Sequence, residues 1–244
     1  MRRLLILAIA TAALIGAAVA ERRIAPVRPY APVEVTLPRP SDDMALDTFR
    51  AELAKIAKRK VYAELAHLVA AQEFFWGRDF GRTFDARKPG VDNLALALRL
   101  EHDGGAGWLA LAQLAGETGM TPLESRPGVV CAPGLLGFDA IAFDRLIGET
   151  RTEPADWAYT GMADIAVRTA PQIGAATLEM LGLQFVRVLE SANTPGGWTL
   201  VVGPSGAVGF VAPGALRRFG AARLCYAKDA TGRWQIAGYI GTGD

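Results

Sequence analysis

The sequence predicts an α+β chain with a mainly helical first half and a second half that forms a small β-barrel with an extra hairpin. Through residues 44–150, apolar residues recur every three or four positions, as they do on the buried face of helices. From residue 158 onward, short valine-rich runs alternate with clusters of Gly, Pro, Asn and Ser, as in small all-β folds. Because the two patterns are segregated, we expect two domains, at 44–150 and 158–244.

The first twenty residues have the three parts of a secretory signal peptide. Arg2 and Arg3 precede an apolar run, and Ala18-Val19-Ala20 forms a cleavage site of small residues. An uncleaved membrane anchor is the alternative. Removal of residues 1–20 takes Lys plus Arg from 26 to 24, against 25 Asp plus Glu, so the mature chain is close to neutral. We therefore expect a periplasmic or secreted protein that does not bind nucleic acid and meets the membrane only through an uncleaved signal.

The elements of the first half follow from caps, breaks and spacing. Residues 21–43 contain five prolines and predict an extended linker. Ser41 is suited to cap the first helix, with Asp42 and Asp43 in its first turn. Further helices are predicted over residues 62–72, from 92, over 108–115 and over 138–147, with an aromatic loop at 74–81 and an extended segment at 128–133.

The second half repeats short apolar runs between turn residues. In order these are Ile165-Ala166-Val167-Arg168, residues 177–182, residues 185–189, Gly197-Trp198-Thr199-Leu200-Val201-Val202, a turn at Pro204-Ser205-Gly206, and Val208-Gly209-Phe210-Val211. This pattern, across 163–216, resembles the bacterial SH3 (SH3b) domain family. Its members have a Trp where Phe210 stands here, and an Asn where Ala166 stands. The resemblance implies an SH3-like β-barrel and a non-enzymatic module that binds cell-wall peptide, as in peptidoglycan, or an envelope protein.

Two runs at the end of the chain predict the extra hairpin. Residues 224–228 and 233–240 flank Asp229-Ala230-Thr231-Gly232, which has the composition of a tight turn. We expect this hairpin either to extend the barrel sheet or to pack against the helical half.

Four aromatic residues of the second half are candidates for a ligand-binding surface: Trp157, Tyr159, Trp198 and Phe210. Aromatic side chains either fill a barrel core or line a shallow groove for a peptide or glycan. Trp198 follows Gly197 at the opening of a strand, so it is the best single candidate. A purely structural role, in which the barrel docks on its own helical half, is a further possibility.

Only two cysteines are present, Cys131 and Cys225. Export would place them in an oxidising compartment, where they could form a disulfide. Two separate buried thiols are the alternative.

The sequence offers little catalytic chemistry. It has two histidines, His67 and His102, and none of the common hydrolase or nucleotide-binding motifs. We therefore expect a protein that is not an enzyme and uses neither a cofactor nor a metal. The alternative is a cell-wall hydrolase with its site in the helical half, built from Cys131 and His67 or from loop carboxylates. The carboxylates are those of Asp79, Asp85, Asp92 and Asp103.

Overall fold

The computed structural model describes residues 27–77, 83–101, 105–189 and 195–242. In these residues, fourteen short strands form three sheets and five helices accompany them. The helices are α1 (Met44–Arg59), α2 (Tyr62–Ala66), α3 (Gly90–Leu98), α4 (Ala106–Gly116) and α5 (Ala140–Thr150). The first seven strands are β1 (Val35–Thr36), β2 (Phe75–Gly77), β3 (Thr121–Pro122), β4 (Val130–Ala132), β5 (Gly137–Phe138), β6 (Trp157–Thr160) and β7 (Ile165–Arg168). The remaining seven are β8 (Thr177–Leu181), β9 (Phe185–Val188), β10 (Thr199–Val202), β11 (Val208–Val211), β12 (Leu216–Arg218), β13 (Arg223–Lys228) and β14 (Trp234–Ile240).

The predicted fold class, a helical domain followed by an SH3-like barrel, is wrong. The C-terminal hairpin β13–β14 does form, but it joins a five-stranded sheet in the order β2-β14-β13-β4-β3. In that sheet β13 pairs antiparallel with β4, and β14 pairs parallel with β2. The first half therefore contributes strands as well as helices, and the end of the chain completes its sheet.

Of the nine remaining strands, β1 and β5 pair with each other, and the other seven make a sheet that stays open. Their order is β12-β6-β9-β10-β11-β7-β8, and within the described residues β12 and β8 do not pair with each other. Closure into a barrel would need that pairing, because a barrel has no sheet edges. The strand runs predicted from the sequence are present, but their closure into a barrel was wrong.

One hydrophobic core lies between helices α1–α4 and the five-stranded sheet. Helix α1 begins after Asp43, whose carboxylate accepts the backbone N–H groups of Ala45 at 2.9 Å and Leu46 at 3.1 Å. Ser41, expected as the cap, instead accepts the N–H of Asp43. The fully buried side chains of this core include those of Leu46, Leu53, Leu65, Leu94, Leu111, Ala132, Leu224, Tyr226 and Ile236.

Helix α2 is shorter than its apolar spacing predicts. It ends at Ala66, and the next residues turn toward strand β14. The N–H of Ile236 donates to the carbonyl of Leu68 at 2.8 Å, and the N–H of Ala70 donates to the carbonyl of Ile236 at 2.9 Å. Sheet pairing over a long sequence distance thus overrides the local helical pattern.

The segment of residues 27–37, which we call the strap, packs against the seven-stranded sheet. Its Val35 N–H donates to the carbonyl of Leu183, and its Val33 carbonyl accepts the N–H of Phe185, both at 3.0 Å. Helix α5 lies in the same core, which includes Phe143, Trp157, Tyr159 and Phe185. The prolines that predicted a linker therefore belong to an extended segment, and its side chains at Tyr30, Val33, Val35 and Leu37 pack into the core of this sheet.

The seven-stranded sheet has a concave face and an outer face. On the concave face Val167, Val186, Val201 and Val211 are all 0% exposed. The core that buries them consists only of residues of this sheet and of Ala215 and Leu216, and no described helix covers it. The sheet must therefore curl around that face. The outer face is covered by the strap and α5 along β6 and β9.

The predicted signal peptide, 1–20, lies outside the described residues. In the described part of the chain, no helix has the length and apolar character needed to cross a bilayer.

Candidate functional site

The strap also reaches the end of β10, where the Tyr30 hydroxyl donates to the carbonyl of the buried Val202 at 2.9 Å. The rest of the outer face along β10, β11, β7 and β8 is uncovered, and we call this region the open outer face. We define it by six residues: Ala166, Arg168, Met180, Leu200, Val208 and Phe210. Strand register sets them side by side, because cross-strand partners lie on the same face of a sheet. Leu200 is paired with Phe210, Phe210 with Arg168, and Ala166 with Met180.

The open outer face is apolar and accessible. Met180 is 54% exposed and Val208 is 43% exposed, whereas Leu200 and Phe210 are half-buried. The single charged side chain is Arg168, whose Nη1 donates to the carbonyl of Ala175 at 2.8 Å. That bond holds the guanidinium at the edge of the face. A surface of this composition excludes water from a partner and offers one oriented cation.

The structure separates the four aromatic residues that the sequence selects. Phe210 lies on the open outer face, and half-buried Trp198 stands two residues before Leu200 of β10. Trp157 and Tyr159 lie on the covered part of the same face, where they are 2% and 8% exposed. They are side chains of the core beneath the strap and α5.

Contacts of Trp157 and Tyr159 are those of core residues. The Trp157 indole Nε1 donates to Thr152 Oγ1 at 2.8 Å, and its ring meets that of Tyr30 edge-on, with centroids 5.1 Å apart. Burial raises the pKa of Tyr159 above its ordinary value, so its hydroxyl is neutral at physiological pH.

The sequence interpretation missed Leu200, Met180 and Arg168. For Leu200 a signal existed: a turn centred on Ser205 places residues 200 and 210 opposite each other, and the structure has that pairing. For Met180 no local signal was sufficient, because the β7–β8 pair has an irregularity between Val167 and Arg168 that shifts its register.

Cys131 and Cys225 form a disulfide, with Sγ atoms 2.03 Å apart, across the β4–β13 pair. Both residues are 0% exposed. In this state Cys131 has no thiolate, the form in which cysteine acts as a nucleophile. His67 is exposed at the end of α2. In the cell-wall hydrolase alternative Cys131 is the nucleophile and His67 its base, and the disulfide removes that nucleophile.

Two of the four loop carboxylates, those of Asp85 and Asp92, lie in the described residues, and each accepts a hydrogen bond from a neighbouring side chain. Asp85 accepts two bonds from the Arg87 side chain, each at 2.9 Å, and this neighbour lowers the pKa of Asp85 to about 2. Asp92 accepts a hydrogen bond from the Tyr62 hydroxyl. Asp79, Asp103 and His102 lie outside the described residues. Within 27–77, 83–101, 105–189 and 195–242, no group of three or more His, Cys, Asp or Glu side chains is placed to hold a metal ion.

No protein-family model, curated protein or solved structure matches this chain. The residue pattern of 163–216 is thus all that bears on the resemblance to the bacterial SH3 family, and the function has to be inferred from geometry.

Proposed function

We propose that this is an exported, non-enzymatic envelope protein that binds another protein through the open outer face. The observation behind the proposal is that one continuous apolar face is covered by the strap and α5 at one end and left in water at the other. Contiguous apolar surface exposed in this way marks interaction sites in soluble proteins. The covered end also illustrates the kind of occupant that such a face accepts, namely an extended segment and a helix of a protein.

The composition of the face favours a protein over a cell-wall peptide. Phe, Met and Arg are enriched in protein interfaces, and carboxylates and lysines are depleted from their centres. The face has Phe210, Met180 and Arg168, and none of its six residues is acidic or a lysine. A cell-wall peptide is short and carries several carboxylates, for which this face has one guanidinium. Protein binding is therefore the better fit.

Export and the absence of turnover come from the sequence and the chemistry of the chain. The proposed leader at residues 1–20 would deliver the protein to the periplasm or the medium. A binding role also suits the disulfide, which deprives Cys131 of nucleophilic character, and the engaged carboxylates of Asp85 and Asp92.

A photo-cross-linking experiment tests the proposal. A photoreactive amino acid is placed at the exposed position of Met180 in the cells that make the protein, and adducts are identified by mass spectrometry. We expect one discrete protein adduct. The identified protein is then purified, and its dissociation constant is measured for the mature chain and for variants.

The variants separate binding from folding. Phe210→Ala should weaken binding at least tenfold, because it removes an aromatic anchor. Met180→Lys, at a side chain 54% exposed, should also weaken binding and leave stability nearly unchanged. Leu109→Ala is the matched control, since Leu109 is 61% exposed and lies on α4, a helix that packs against α1. The proposal fails if position 180 gives no adduct, or if Phe210→Ala and Met180→Lys bind like the unaltered protein. Retention on purified sacculi that Met180→Lys abolishes would assign the face to cell-wall peptide instead.

A further inference from the structure

A cavity of about 610 Å³ opens at one end of the concave face. Ala158, Val188, Thr199, Leu216 and Arg218 line it. All five are on the concave side by strand register, because Arg218 is paired with Ala158, and Val188 with the buried Val201. The apolar members form a floor, and this volume is in the range of pockets that bind small ligands.

One cation at this cavity is uncommitted. Arg218 is exposed, and within the described residues its guanidinium forms neither a hydrogen bond nor an ion pair. The two other charged residues of the lining are engaged. Arg217 Nη1 lies 3.5 Å from Glu117 Oε1, and Asp156 Oδ2 accepts the backbone N–H of Glu153 at 2.9 Å. Arg218 is therefore the charged side chain of the lining that is left to pair with an anionic ligand.

The cavity borders an open sheet edge. Strand β12 is the first strand of its sheet and pairs with β6 on one side, and no described strand pairs with its other side. A free edge presents backbone N–H and C=O groups to an extended peptide. Leu216 and Arg218 belong to this edge strand, so a peptide lying along it would have its end beside the guanidinium.

We infer that this cavity binds the C-terminal carboxylate of an extended peptide whose last side chain is small and apolar. The carboxylate pairs with Arg218, the last side chain rests on Ala158, Val188 and Leu216, and the peptide backbone runs along β12. This second binding site shares no residue with the open outer face and does not depend on the function proposed there. Free protein C-termini and the D-alanine ends of cell-wall stem peptides share this chemistry.

Fluorescence anisotropy with synthetic peptides tests the inference. The probe is the pentapeptide Gly-Ser-Thr-Val-Ala with an N-terminal fluorescein, prepared once as the free acid and once as the C-terminal amide. The mature protein should bind the acid at least tenfold more tightly than the amide, because a guanidinium–carboxylate pair is a charge-assisted bond. A third probe, ending in D-alanyl-D-alanine as the free acid, tells whether the site prefers the cell-wall source.

Substitutions assign the effect to the cavity. Arg218→Gln should remove the difference between acid and amide, and Arg218→Lys should retain part of it, since lysine keeps the charge and loses the planar fork. Arg145→Gln is the matched control: it removes an exposed cation on α5 that does not line the cavity, and it should leave the ratio unchanged. Circular dichroism of each variant checks the fold.

Three results would overturn the inference: no binding of either acid at about 1 mM peptide, equal binding of acid and amide, or an acid preference that survives Arg218→Gln. If the D-alanine probe binds more tightly than the L-alanine acid, and Arg218→Gln abolishes its binding, the carboxylate site is supported and its ligand is a cell-wall stem peptide.

Discussion

What covers a side chain decides its role more than its residue type. Trp157 and Trp198 both come from the second half, and both were candidates for a ligand surface. Trp157 is 2% exposed beneath the strap, and its indole nitrogen donates to Thr152 Oγ1. Trp198 is half-buried beside two glycines with positive φ, Gly196 at 67° and Gly197 at 75°. These surroundings make the first a core residue and leave the second available for contact.

The two tryptophans should differ sharply on truncation. Trp157→Ala should lower the free energy of unfolding by about 3–5 kcal/mol, because it leaves a large cavity and removes the indole donor from Thr152 Oγ1. Trp198→Ala should cost less than about 2 kcal/mol, since solvent already reaches its ring. Urea unfolding followed by far-ultraviolet circular dichroism compares the two. Equal losses of stability would contradict the burial difference.

At the scale of the element, local chemistry explains the hairpin β13–β14. Within its turn, Asp229 Oδ1 accepts the N–H groups of Thr231 at 2.8 Å and Arg233 at 3.0 Å. The Thr231 hydroxyl also donates to Oδ1, at 2.6 Å. Chiefly because of this hydroxyl, and then of the Arg233 backbone N–H, the pKa of Asp229 is about 2, below the 3.8 of a free side chain. The turn is therefore stabilised by an ionised carboxylate.

This turn predicts a specific response to acid. A carboxyl whose pKa is lower in the folded state adds stability above its unfolded pKa, and that stability is lost as pH falls from about 4 to about 2. Carbon-13 NMR titration should give Asp229 a midpoint near 2. Thr231→Val, which keeps the side-chain shape and removes the hydroxyl, should raise that midpoint toward 3.8. A midpoint near 3.8 in the unaltered protein would show that the turn does not hold the charged form.

The same hairpin shows why the fold was only partly predictable. Its strands and turn depend on neighbours along the chain, and the sequence identifies them. The strands that pair with this hairpin are distant in sequence and cannot be identified in the same way. Cys131 of β4 is 94 residues from Cys225 of β13, and β2 is farther still. Strands of two or three residues, such as β2, β3 and β4, have too little pattern to be distinguished from loops. For the candidate site, Phe210 was found because it is aromatic, whereas Met180 became visible only with the register of β8.

At the scale of the whole molecule, each of the two larger cores contains a segment from the other half of the chain. The strap, 27–37, belongs to the first half of the chain but packs on the seven-stranded sheet of the second half. The hairpin β13–β14 belongs to the second half but pairs with β4 and β2 of the first half. A cut in the middle of the chain therefore separates the first core from the hairpin β13–β14 and the second core from the strap. Neither half has a full complement of buried apolar surface, which is the main favourable term in folding.

This exchange of segments predicts fragment complementation. Residues 27–135 and 136–242, made as separate chains, should each be largely unfolded, because the first lacks Tyr226 and Ile236 and the second lacks the strap. Mixed at equal concentration, they should regain the circular dichroism spectrum and a single unfolding transition of the intact chain. The cut precedes Leu136, next to Leu135, which is 57% exposed, so the break itself falls at the surface.

The disulfide makes the reassembly visible. Cys131 lies in the first fragment and Cys225 in the second, so native pairing under oxidising conditions should join them into one band on a non-reducing gel. A second fragment with Cys225→Ala should restore the spectrum without forming that band, which separates association from cross-linking. The prediction is wrong if fragment 136–242 alone unfolds cooperatively and its spectrum does not change when the first fragment is added. The seven-stranded sheet would then be stable without the strap.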